Sequence, residues 1–83
     1  MSSEIAMMRV KLSASRKERS ELRMRLISLS ESIVPRINPM LVDEPEEMEV
    51  AEAATLMDTM VMVQAELLTV GSKIKRLEKS LGE

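Results

Sequence analysis

Glu46, Glu47, Glu49, Glu52 and Asp58 make the densest acidic run in the chain. Glu49 and Glu52 are three residues apart. On a helix that spacing points both carboxylates off one face, where they could share a divalent cation. A second group is basic: Arg9, Lys11, Arg16, Lys17, Arg23 and Arg25, with Arg19 among them. A basic helix can meet the phosphates of RNA or DNA. The chain has no histidine and no cysteine. That removes the commonest transition-metal ligand, the usual neutral-pH switch, thiolate metal sites and disulfides.

Each group also has a plainer reading, and the plainer one is favoured. All-helical nucleotide pyrophosphohydrolases hold Mg²⁺ with two acidic pairs, but here Glu66 is followed three residues later by Thr69. The acids instead suit the positive end of a helix dipole. The basic residues do not all lie on one stripe. The chain also has no aromatic side chain on which a base could stack, and its net charge is −2. The small helical chorismate mutases need a central lysine and three helices. This chain has no lysine between Lys17 and Lys73 and room for two long helices. The reading is therefore not an enzyme, with no catalytic residue, no metal and no cofactor.

The element that must carry these groups is plain in the second half. Ala53, Leu56, Met60, Val63, Leu67, Val70, Ile74, Leu77 and Leu81 recur at alternating steps of three and four. That rhythm keeps one apolar edge of a helix facing a partner helix over many turns. The first half repeats it as Ile5, Met8, Leu12, Ser15, Arg19, Leu22, Leu26, Leu29 and Ile33, with a polar gap in the middle. The pattern predicts an all-α antiparallel hairpin, coiled-coil-like, forming one domain over 1–83. Helix 1 spans about 3–34, capped by Ser2 or Ser3 and stopped by Pro35. A connector covers 35–43, with a turn at Asn38-Pro39. Ile37, Met40, Leu41 and Val42 are apolar enough to fold over one end of the pair. Helix 2 spans 44–81, opened by Pro45, continuous through Gly71 and stopped by Gly82.

Arg19 sits at a seam position beside Ser15. A single polar seam residue can fix register and oligomer state. Antiparallel pairing across a short connector puts Arg19 near Glu66, as a register ion pair.

One partner helix is not enough for helix 2. Met57, Val61, Met62 and Leu68 lie off its seam, so the stretch from Leu56 to Val70 is apolar on more than one side. The expected interface is Leu56, Met57, Met60, Val61, Val63, Leu67, Leu68 and Val70. The partner is a second copy in a homodimeric four-helix bundle, or another helical protein. Residues 1–36 carry eight Lys/Arg and four Glu, net +4, and residues 37–83 four Lys/Arg and ten Asp/Glu, net −6. The N-terminus has no basic segment followed by an apolar run, and the uncharged stretch from Asp58 to Glu66 is far shorter than the roughly 20 residues of a bilayer span. The expected location is cytoplasmic, without a membrane.

Overall fold

The computed structural model describes residues 2–83, with side chains from residue 3 onward. A capping role for Ser2 therefore lies outside the described side chains. Two long helices dominate: α1, Ser2–Arg36, and α2, Val50–Leu81. At roughly 1.5 Å per residue they are about 52 and 48 Å long. They pack antiparallel into a rod of 65 × 15 × 15 Å.

The three-four rhythm is the packing seam. Every α2 seam residue is buried or half-buried, with Ala53, Val63, Val70 and Ile74 fully covered. On α1, Leu12, Ser15, Leu22 and Ile33 are buried, and Met8, Arg19, Leu26 and Leu29 are half-buried. Leu12, Leu22, Val63, Val70 and Ile74 form the central cluster, with Leu26, Leu29, Leu67, Leu77 and Leu81 against it. Ile5 is the exception and is exposed. Arg16 is already level with Glu78 and Glu83, so α1 overhangs the end of α2 at Ile5.

The boundaries differ from expectation at the two prolines. Pro35 does not end α1 but lies in its last turn. A proline there forfeits one N–H bond, and the exposed end tolerates the loss. Arg36 donates from its guanidinium to the Ser32 carbonyl at 2.7 Å, and Ile37 N donates to Val34 O at 3.3 Å. Pro45 does not open α2 but a 3₁₀ turn, Pro45–Glu47. In that turn the Glu44 N–H donates to Glu47 Oε1 at 3.0 Å. Extended backbone at Met48 then breaks the run. The Glu49 N–H donates across the hairpin to the Arg36 carbonyl at 3.0 Å. With that donor committed to α1, α2 begins only at Val50, and Ala53 N makes the first helical bond to Glu49 O at 2.9 Å.

The connector is thus 37–49, longer than predicted. Asn38 does make a turn: its Oδ1 accepts from Met40 N at 3.0 Å and caps a 3₁₀ turn, Pro39–Leu41. Of the four apolar connector residues expected over the helix end, only Val42 is half-buried. Met40 is 87% exposed, and Leu41 and Ile37 are exposed as well, because this turn carries them outward. Gly71 lies within an unbroken α2, and Gly82 ends it at φ 76°, in the left-handed region that favours glycine.

Ser15 is fully buried with its Oγ unpartnered. A buried hydroxyl without a partner costs about 1–3 kcal/mol. Ser15→Ala should therefore raise hairpin stability by about 1 kcal/mol, visible as a Tm higher by roughly 4–8 °C. A lower Tm would show that the hydroxyl is satisfied in solution.

Candidate functional site

The residues left over by the seam form a second stripe on α2. Val50, Ala54, Met57, Val61, Gln64, Leu68 and Gly71 follow the same three-four rhythm, displaced to one flank. All but Gly71, which is half-buried, are exposed in the hairpin. Five of the eight residues expected at an intermolecular interface do a different job. Leu56, Met60, Val63, Leu67 and Val70 lie on the intramolecular seam, and Val63 and Val70 are fully covered there. Met57, Val61 and Leu68 remain open, each more than half exposed. The sequence placed α1 on the seam and these three residues off it, but the expected interface also took in seam residues.

Two open grooves run along this flank. One, of ≈ 220 Å³, is lined by Leu26, Met57, Met60, Val61 and Gln64. The next, of ≈ 360 Å³, is lined by Arg19, Arg23, Leu67, Leu68, Gly71, Ser72, Lys75 and Glu78. Gly71 has no obvious role within the hairpin, since a Cβ there would meet nothing within 4 Å. Glycine inside a helix costs about 1 kcal/mol relative to alanine, and the hairpin contains nothing that requires it.

The basic residues of α1 divide between flanks. Arg9, Arg16, Arg19 and Arg23, at steps of seven, three and four, share one side, so part of the basic set does form a stripe. It borders the second groove: Arg19 and Arg23 line it, and Arg16 binds Glu78 at 2.9 Å and Glu83 at 3.2 Å. Those carboxylates, Glu78 first, raise the Arg16 pKa above its ordinary value. Lys11, Lys17 and Arg25 are exposed elsewhere around the helix.

The register ion pair is not formed. Among the described residues no ion pair joins Arg19 and Glu66. Glu66 lines a groove with Glu18, Ala65, Thr69 and Val70, whereas Arg19 lines the one with Leu68 and Gly71. The two residues flank the seam on opposite sides. Position along the rod was a fair guide, but Glu66 comes just before the seam residue Leu67 and so turns away from Arg19.

At the connector end, Glu49 and Glu52 do come together, both facing the Arg36 guanidinium. Arg36 Nε lies 3.4 Å from Glu49 Oε2 and 3.6 Å from Glu52 Oε2, ion-pair rather than hydrogen-bond contacts. Hydrogen bonding to Glu52, then its charge, raises the Glu49 pKa, and Arg36 opposes the shift. Among the described residues no group of three or more acids, histidines or cysteines could hold a metal ion.

By length and composition alone, α2 is apolar enough to cross a bilayer. The uncharged run between Asp58 and Glu66 understates this, because only two charges interrupt a longer apolar stretch. A charge near the centre of a bilayer costs about 2.5–3.5 kcal/mol on insertion scales. The seam of α2 is also occupied by α1, which carries Arg19 in its own seam.

The Glu49 shift has a defined sign. A carboxyl whose folded pKa is raised binds its proton more tightly when folded. Its contribution to stability therefore grows as pH falls through that raised value, and is complete below the ordinary carboxylate pKa. Removing it by Glu49→Gln should lessen stabilisation, or deepen destabilisation, between pH 7 and 4 relative to the parent. Arg36→Ala removes the opposing cation and should enlarge the acid gain at Glu49. Thermal melts of the three proteins across that pH range measure both effects, and parallel pH profiles would show that the pair does not interact in solution. No protein-family model matches the chain, and neither a curated protein nor a solved structure shows significant similarity to it.

Proposed function

We propose that this chain is a small assembly protein, a structural, adaptor or regulatory component that acts by burying the flank stripe of α2 against another helical surface. The observation that carries the reading is the run of open apolar residues at Val50, Met57, Val61 and Leu68 on a helix whose seam is already filled. The thinness of the core supports it. Among the described residues, seven apolar side chains are fully buried in the rod, while fourteen large apolar ones are exposed. Small domains with little core commonly gain stability from association, and contiguous exposed apolar surface marks interaction sites. On this reading the chain is not an enzyme and works in the cytoplasm.

The alternative is a nucleic-acid-binding regulator. The arginine row Arg9, Arg16, Arg19 and Arg23 favours it, because four guanidinium groups on one side of a helix match a line of phosphates. Against it stand the pairing of Arg16 with two carboxylates and the absence of aromatic residues.

Val61→Lys separates stripe from seam better than a seam variant. Met60 is half-buried against α1, so a lysine there would disturb the hairpin itself. Val61 is 67% exposed, so a lysine there leaves the hairpin intact. Sedimentation equilibrium at micromolar concentration should give a mass above 9.4 kDa for the parent. Val61→Lys should weaken association at least tenfold with unchanged helicity. A fully helical parent at monomer mass would overturn the assembly reading. Salt-sensitive retardation of an RNA or DNA oligonucleotide by that monomer would support the alternative.

A further inference from the structure

We propose that the occupant of the α2 stripe is a second copy of this chain lying antiparallel to the first, so that the acidic connector end of each hairpin sits beside the arginine row of the other. This rests on the assembly reading and adds the partner, its direction and its register.

Charge sets the direction. Cut across the rod before Arg25 and after Asp58, the connector half, residues 25–58, carries two basic and eight acidic side chains, net −6. The open half, residues 1–24 and 59–83, carries ten basic and six acidic side chains, net +4. Two copies side by side and parallel would place like ends together. Antiparallel, each −6 end lies against a +4 end. Complementary potentials of this kind fix the orientation of a complex. A heterologous partner would need no such polarity within this one chain, whereas a two-fold dimer uses both ends of it.

The stripe sets the register. Its members run from Val50 to Gly71, and the six from Ala54 to Gly71 are centred midway between Val61 and Gln64. A two-fold axis there puts Val61 against the partner's Gln64, Met57 against the partner's Leu68 and Ala54 against the partner's Gly71. Small residues let helix backbones approach closely, so this contact gives Gly71 the role it lacks inside the hairpin. Lys75 then reaches the partner's Val50, and Arg19 and Arg23 border the acidic connector end of the partner, where Glu49 and Glu52 are held by their own Arg36 while Glu46, Glu47 and Asp58 make no ion pair among the described residues. Arg19 and Arg23 make no ion pair within their own chain among the described residues, which leaves them for the partner's acids. Gln64, near the axis, is the polar interruption that holds the register.

The chain has no cysteine, so engineered thiols report without background. Val50→Cys and Lys75→Cys are made separately and oxidised alone and mixed; a disulfide needs Cβ atoms about 3.5–4.5 Å apart. The antiparallel dimer gives a covalent product only in the mixture. Gly71→Leu should raise the dissociation constant at least tenfold with helicity unchanged. Arg19→Glu with Arg23→Glu should weaken the dimer at least tenfold at low salt and less at high salt. A dimer whose Val50→Cys and Lys75→Cys forms each cross-link to themselves overturns the orientation while the assembly reading stands. A monomer at every concentration overturns both. A dimer indifferent to the arginine double change, when that change abolishes oligonucleotide binding, assigns the row to nucleic acid and overturns the charge pairing.

Discussion

Everything in this molecule depends on one limit: a straight helix can give a single partner helix only one stripe of its surface. The alternating three-four spacing of α2 from Ala53 to Leu81 fills that stripe without a polar residue. On α1 the matching edge is interrupted by Ser15 and Arg19. The hairpin core is consequently one side chain deep, a line of Leu, Val and Ile contacts along the rod. A core of that shape can align two helices but cannot cover either one. Exposure of Met57, Val61 and Leu68 is thus a consequence of the two-helix topology, not of poor packing.

The connector makes that topology possible. Thirteen residues, 37–49, turn the chain, yet few apolar contacts hold them. Backbone bonds and one arginine hold the turn instead. The Glu49 N–H reaches the Arg36 carbonyl, and the Arg36 guanidinium spans the Ser32 carbonyl, Glu49 and Glu52. At the opposite end of the rod Arg16 ties α1 to Glu78 and Glu83. Exposed ion pairs of this kind add little stability. They give the two helices one polar point of contact at each end of the rod. Arg36 and Arg16 make the cross-helix ion pairs that the sequence reading placed at Arg19 and Glu66.

Much of this was legible in the residues, for reasons that also mark where the reading stopped. A seam is a repeated signal: each of nine positions votes for the same phase, so Val63, Val70 and Ile74 were identifiable as core and Gly71 as internal to the helix. Boundaries are single events decided by local competition. Pro35 and Pro45 each had an ordinary reading, but side-chain and backbone bonds of Arg36 and Glu49 moved both boundaries. The exposure of Met40 and Leu41 was out of reach because it depends on which way a 3₁₀ turn faces. Pairing across the hairpin failed at Arg19 for a related reason. Spacing gives the height of a residue along the rod, but a single position, as at Glu66 beside Leu67, decides which side of the seam it meets.

The distribution of charge follows from the same hairpin. Along the sequence the basic excess lies in the first 36 residues and the acidic excess in the rest. Folding does not simply set these halves against each other. Because α2 is acidic at its start and basic at its end, the antiparallel turn gathers acids at the connector and bases at the open end. The helix dipole favours this arrangement within α2, with Glu52 in its first turn and Lys79 in its last. Apart from Arg25 and Arg36, the arginines of α1 lie far from the connector and so reinforce the basic end rather than neutralise the acidic one. The hairpin therefore combines a filled seam, a second apolar stripe on α2 and opposite charge at its two ends.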